Sequence, residues 1–406
     1  MCNYFAPAST LSNGGGGSER YPVLFISGPI QGIAGPMTSS QRLPTSLTPL
    51  DRALDALLNG VEPVAPVELA LGEALLCIAA GMPPLKAHPP RDTAAVDGYA
   101  FCARDLVGAS SYSPLPLSTP PVWVEAGEAI PAACDCVLDS DSVDVSGPIA
   151  QAMAEAIPGQ GVRRAGGDIA AGHLVVEAGR RVRPRDLLMA RAVGIERLSV
   201  RRPRLRIVNV PGSSVTADLI TESAQATGAD TVSVIAAGRD AGSIAVALDD
   251  SACDLLLVVG GSGVGRTDAA VSALAARGKI LAHGIALQPG RTAATGRFGK
   301  RPVVVLPGAP DQALAAWWTL ALPVLDRLSG LGPRQPVTLP LQRKIASSVG
   351  ITEIALLERI EGKWMPLAVG DLSLDAIARA DAWLAVPSGS EGFAAGASAD
   401  AYMLRE

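Results

Sequence analysis

The sequence predicts a multidomain chain of α/β and β units, with a parallel-sheet α/β domain over residues 204–332 and smaller β-rich regions around it. Three observations predict it. At roughly 150 residues per domain, a chain of 406 residues corresponds to two to four domains. Residues 204–330 alternate continuous apolar strands with helical segments, the pattern of a parallel sheet covered on both faces. Residues 87–148 and 335–406 hold short apolar runs cut by Pro and Gly, which reads as β structure.

Composition narrows the function. Apolar residues make up 48% of the chain, ample for several cores, and with aromatics at 4% those cores must be filled by Ala, Val and Leu. The net charge of −5 comes with no basic stripe, so no nucleic-acid partner is expected. His88, His173 and His283 lie far apart, which argues against a His-rich zinc site. Cys2, Cys77, Cys102, Cys134, Cys136 and Cys253 form no CxxC and read as thiols of a reducing, cytoplasmic compartment. No apolar run approaches ~18 residues, so no membrane span is expected.

Along the chain, residues 1–45 combine a glycine run with Ser and Pro and no periodicity, which predicts a disordered leader. Leu50, Leu54, Leu57 and Leu58 recur at helical spacing. A second helix is expected over 71–80, closed by Gly81 and Pro83. Strands are expected at 122–125 and 136–138. A helix is expected from Arg185 to Val193, with Gly194 just past its end. In the α/β region, strands are predicted at 206–210, 231–235, 254–259 and 302–306. Helices are predicted at 216–227, 240–248, 268–277 and 311–328. Pro323 lies within the last apolar stretch and predicts a helix end near it.

The sharpest local feature is Gly260-Gly-Ser-Gly-Val-Gly265, between a strand and a helix. Glycines let backbone amides approach an anion, and the helix start adds positive potential. Thr267 or Asp268 can cap that helix. The spacing is neither a P-loop nor the dinucleotide fingerprint, and the bland alternative is a tight βα turn. Leu306-Pro-Gly-Ala-Pro310 is a second strand-to-helix turn, expected on the same carboxyl edge of the sheet, where ligands bind. Pro289-Gly-Arg-Thr292 offers Arg291 as an anion ligand, or as a solvated arginine. Asp97 and Asp168 sit in Gly-containing turns. Each reads either as a ligand carboxylate or as an ordinary turn residue.

Together and in order, these segments resemble the molybdopterin molybdenumtransferase family (the MoeA type, which includes the gephyrin E domain). Val96-Asp-Gly-Tyr-Ala100 is similar to that family's MDGYA. Glu125-Ala-Gly-Glu-Ala-Ile-Pro131 followed by Asp135-Cys-Val137 is similar to its TGAPxP…DAV stretch. Arg163-Arg-Ala-Gly-Gly-Asp-Ile169 resembles RxxGEDI, and 254–265 resembles its strand and GGVSVG loop. Gln288-Pro-Gly-Arg291 resembles KPGKP, and Leu306-Pro-Gly-Ala-Pro310 resembles LPGNP. The resemblance implies a discontinuous mixed linker and dimerisation domain at 46–86 and 149–203 around an inserted β domain at 87–148. It further implies a three-layer α/β/α domain of MoaB/MogA type at 204–332 and a C-terminal β-barrel-like domain at 333–406. Its activity would be insertion of molybdate into adenylylated molybdopterin with release of AMP, assisted by Mg²⁺. The protein would be a homodimer with each site shared between subunits. Asp97 and Asp168 would be catalytic and hold Mg²⁺. Gly260, Gly261, Ser262, Gly263, Gly265, Asp268, Pro289, Gly290, Arg291, Pro307 and Gly308 would bind the pterin and its phosphate. Other cofactor-synthesis proteins or an apo-molybdoenzyme are the further partners implied.

The departures are specific. The family's acidic TGDEL turn is replaced by Pro211-Gly-Ser-Ser-Val215. Arg266 stands where an acidic or small residue is usual. Ala126, Ala309 and Thr292 replace a threonine, an asparagine and a proline. Fewer carboxylates disfavour a divalent cation and favour a bare anion. Three readings follow: a divergent transferase, a non-catalytic molybdopterin-binding or delivery protein, and a scaffold without ligand.

Overall fold

Leu255–Val259 is buried along its whole length, as a run of apolar β-formers must be when helices cover both faces of a sheet. The computed structural model that shows this describes residues 41–248 and 253–404. Around that strand lies a six-stranded sheet made of β1 (Arg204–Asn209), β2 (Asp230–Ile235), β3 (Leu255–Val259), β4 (Lys279–His283), β5 (Ala294–Phe298) and β6 (Arg301–Leu306). Their order is β2-β1-β3-β6-β5-β4. The first four are parallel, while β5 is antiparallel to both β6 and β4. The sheet is therefore mixed rather than wholly parallel. The hairpin β5–β6 turns at Gly299 and Lys300, and a two-residue turn joins only antiparallel strands.

Alternation along the strands divides the core. Leu255, Leu257, Val259, Val304 and Leu306 pack on one side with Leu57, Ile220, Leu314 and Trp317. Leu256, Val258, Val303 and Val305 pack on the other side with Ile244, Val271 and Leu274. The first face is covered by the helix Leu50–Leu58, by α1 (Val215–Ala226) and by the C-terminal helix of the domain. The second is covered by α2 (Ala241–Ala247) and α3 (Ala270–Arg277). This is a three-layer α/β/α arrangement. Fully burying each such Leu or Val stabilises by about 1.5–3 kcal/mol.

The helix expected to stop at Pro323 does not. It runs as α4 (Pro310–Ala316), one π-helical turn at Trp317–Ala321, and α5 (Leu322–Ser329). In the π turn the Leu322 N–H donates to Trp317 O, five residues back. This extra residue accommodates a proline that has no N–H to donate and would clash with the preceding turn. The helix expected over 71–80 shrinks to Leu71–Ala74. Leu76 takes φ +68, its N–H donates to Val182 O, and Ile78–Ala79 pairs as a strand with Val200–Arg201. Tertiary pairing outweighs the helical spacing of the leucines there.

The remaining strands form separate sheets. Val67–Ala70, Arg197–Arg201 and Ile78–Ala79 make one. Val122–Val124, Gly98–Phe101 and Cys136–Asp139 make another, with Tyr99 edge-on to Trp123 at 5.1 Å. The C-terminal sheet centres on Thr352–Ile360, which pairs with Lys363–Val369, the strand that carries the fully buried Trp364. Most of the expected leader, residues 1–40, lies outside the described residues. At 41–45 the expectation of disorder fails: Gln41 is buried, and Leu43 and Pro44 pack against Gly284. Among the described residues no helix is long and apolar enough to cross a membrane.

Candidate functional site: a cleft at the carboxyl edge of the sheet

Register places the ends of the parallel strands in one row. Asn209 pairs with Ile235 and with Val259, and Val259 pairs with Leu306. The turns that follow therefore leave the sheet at one edge. Val210 N–H donates to Val259 O and Gly260 N–H to Leu306 O, which locks the first residues of those turns together. Between the turns lies a cleft of about 330 Å³, lined by Asn209, Gly212, Ser213, Arg239, Gly260–Gly263, Asp268, Thr292, Pro307–Ala309 and Gln312. The expectation that the 260s loop and the 307–310 turn meet at one rim is met. A Cβ on Gly308 would lie 3.6 Å from Gly260 Cα.

The glycines are needed by conformation and by space. Gly260 and Gly261 have φ of +93 and +70, in the left-handed region that side chains disfavour. A Cβ on Gly263 would lie 2.6 Å from Asp268 Oδ2. The loop is held at two further points. Ser262 O lies 3.0 Å from His283 Nε2, and Gly265 N–H donates to Asp268 Oδ2 at 2.9 Å. Among the described residues the amides of Gly261, Ser262 and Gly263 make no hydrogen bond. Neither α1 nor α4 has a side-chain N-cap, so each presents open N–H groups and positive potential. Thr216 Oγ1 donates to Gly308 O at 2.6 Å and ties these two helix starts together.

One arginine completes the cleft. Arg239 follows β2, donates from Nη1 to Pro211 O at 2.5 Å, and places Nη2 3.5 Å from Asp268 Oδ1. The sequence offered Arg291 as an anion ligand, and neither it nor Arg266 lines the cleft. Arg291 is exposed, and its carbonyl accepts from Ile285 N–H. Pro289 and Gly290 are buried beneath Gln312 O, and only Thr292 of that turn reaches the cleft. Gly265 sits beside it through Asp268. Asn209, Arg239 and Gln312 were not singled out from the sequence, and Gly212 and Ser213 only as part of the turn that replaces the family's acidic one. Their position after strand ends was the available signal.

Helix α3 is not capped by Thr267 or Asp268 as expected. Its N-cap is Ala269, and Gln41 Oε1 accepts from Val271 N–H at 2.8 Å and Ser272 N–H at 3.1 Å.

Asp97 and Asp168 lie elsewhere. Asp168 lines a second cleft of about 500 Å³ with His88, Arg91, Ala126 and Arg163. Its Oδ2 is 3.3 Å from Arg163 Nη1. Asp97 Oδ1 accepts from Ala126 N–H at 2.7 Å. Nearby, the Ala165 N–H and then the Arg164 guanidinium hold Asp92 below the usual carboxylate range. Among the described residues no group of three or more His, Cys, Asp or Glu could hold a metal ion. The carboxylates expected to hold Mg²⁺ are engaged by Ala126 N–H and Arg163, so within one chain this donor set does not fit a hard divalent cation.

Residues 48–194 match the MoeA N-terminal region (domain I and II), and residues 192–327 match the probable molybdopterin binding domain. Molybdopterin molybdenumtransferase 2 of Mycobacterium tuberculosis is 30% identical over 286 residues, which covers 60% of this chain and 70% of that protein. Molybdopterin molybdenumtransferase 1 of the same organism is 26% identical over 408 residues, covering 84% and 95%. A molybdopterin biosynthesis MoeA protein from Pyrococcus horikoshii superposes with a TM-score of 0.68 at 23% identity, covering 89% of this chain and all of that one.

Proposed function

The chain belongs to the MoeA-type molybdopterin molybdenumtransferase family of molybdenum cofactor biosynthesis, and from that premise we propose that its carboxyl-edge cleft binds adenylylated molybdopterin and is where molybdate is inserted. The supporting observation is the convergence of two glycine turns, two uncapped helix starts and Arg239 on one cleft. The free loop amides, the open helix N–H groups and the guanidinium are hydrogen-bond donors, which suits a phosphate-bearing anion. The loop amides and Arg239 hold the phosphate, and Asn209 and Ser262 are buried polar residues of the lining.

In this reading a molybdate oxygen attacks the molybdopterin phosphorus, the phosphoanhydride breaks and AMP leaves with the bridging oxygen, while the metal that has given up that oxygen is taken by the two dithiolene thiolates. Residues of this chain bind and orient the anions, and no step is assigned to Mg²⁺. Asp97 and Asp168 serve the equivalent cleft of a partner subunit in a homodimer. The division of the chain at 86/87, 148/149, 203/204 and 332/333 remains part of the proposal, as does a cytoplasmic location. Purified protein given molybdate and adenylylated molybdopterin releases AMP above a heat-inactivated control. Absence of release overturns the catalytic reading.

One observation favours a second reading, a molybdopterin-binding or delivery protein without turnover. The turn after β1 carries Gly212 and Ser213 in place of an acidic pair, and the remaining cleft carboxylate, Asp268, is paired with Arg239. Pterin binding with no AMP release, and gain of release on restoring the acidic turn, distinguishes it.

A further inference from the structure

Gln41 is joined to the cleft loop across more than two hundred residues of sequence. Its side chain is only 8% exposed. Nε2 donates to Gly261 O at 3.0 Å and to Gly263 O at 2.9 Å, while Oε1 accepts from Val271 N–H and Ser272 N–H. A primary amide has two donors and two acceptor sites, so this one is saturated. The chemistry also fixes its orientation, since the flipped amide would set NH₂ against two N–H groups.

We infer that Gln41 is a positioning residue for the ligand loop. In a planar trans peptide the N–H points opposite to the C=O. Tethering Gly261 O toward Gln41 therefore turns the Ser262 N–H away from it, to the side of the loop that lines the cleft. His283, on Ser262 O, does the same for the Gly263 N–H. The same amide caps α3, so one side chain outside the cleft sets both the loop and the helix that follows it. This inference rests on the reading of the cleft as the molybdopterin site.

The test uses the full chain with Gln41→Glu and Gln41→Ala. Glutamate keeps acceptors for Val271 and Ser272 but cannot donate to the two carbonyls, while alanine loses both functions. Molybdopterin Kd rises at least tenfold in both variants, and Gln41→Ala melts lower than Gln41→Glu. Backbone exchange of the 261–272 peptide is faster in both. Wild-type Kd in both variants overturns the inference and leaves the proposed function standing. If the wild type itself binds no molybdopterin, the proposed function fails, and the exchange measurement decides alone: unchanged exchange in the variants overturns the role of Gln41, faster exchange supports it.

Discussion

Arg239 Nη2 lies 3.5 Å from Asp268 Oδ1 within the cleft, two residues carried by turns that follow different strands. An incoming phosphate competes with Asp268 for this guanidinium. Arg239→Gln is expected to weaken molybdopterin binding by roughly tenfold or more and to reduce its salt dependence, because one charge-assisted contact is lost. Stability should change by less than about 1 kcal/mol, since the pair is partly exposed. Asp268→Asn is expected to act in the opposite direction on affinity at low salt, because its amide oxygen still accepts from Gly265. Titration of both variants by fluorescence at two ionic strengths checks the signs.

Gly261 and Gly308 face the same cleft but differ in tolerance. Gly261 has φ +70, and its added Cβ would sit 3.2 Å from Ala270 Cβ. Gly261→Ala should cost about 1–2 kcal/mol in urea denaturation, from left-handed strain plus crowding. A Cβ at Gly308 meets only Gly260 Cα, at ordinary contact distance. Gly308→Ala should shift stability by less than about 0.5 kcal/mol while still weakening ligand binding, because the methyl enters the cleft.

The strands at 255–259 and 301–306 were legible because burial on both faces demands unbroken apolar runs. β4 and β5 were not, because Lys279, His283, Gly296 and Arg297 interrupt any pattern in strands that flank the buried centre. The leucines at 71, 75 and 76 mimicked a helix, and the pairing that overrides them lies over a hundred residues away. The glycine turns of the cleft were legible because φ above zero selects glycine. Arg239 was not, since only register shows that the turn after β2 reaches the site. Nothing local marks Gln41, whose partners are contributed entirely by 261–272.

Burial pushes the Cys136 thiol up to about 12, and burial likewise raises Cys77 and Cys134. The folded state thus prefers the neutral thiol more than the unfolded chain does. That contribution is fully present below the unfolded thiol pKa, near 9.0, and is lost as pH rises toward 12. Unfolding free energy should fall over that window, with a shallower fall in Cys136→Ala. At pH 8, iodoacetamide should leave Cys136 unmodified in the native protein and label it in urea.

Asp168 and Asp97 lie outside the lining of the glycine-turn cleft of their own chain, which sets a test of the shared site. If each cleft borrows these carboxylates from a partner, Asp168→Ala and Arg239→Gln disable different halves of the same site. Assayed with substrate well below the Kd of Arg239→Gln, either variant alone then releases little AMP. Unfolding and refolding an equal mixture gives dimers of which about half are mixed, each with one intact site, so activity returns to about a quarter of wild type. A mixture as inactive as its components would mean that the carboxylates serve their own chain, and an Asp168→Ala variant as active as wild type would mean that Asp168 serves no site. Asp97→Asn should behave differently from Asp97→Ala, because the amide oxygen still accepts from Ala126. A loss of activity confined to the alanine variant would assign Asp97 to shaping that turn rather than to contact with the substrate.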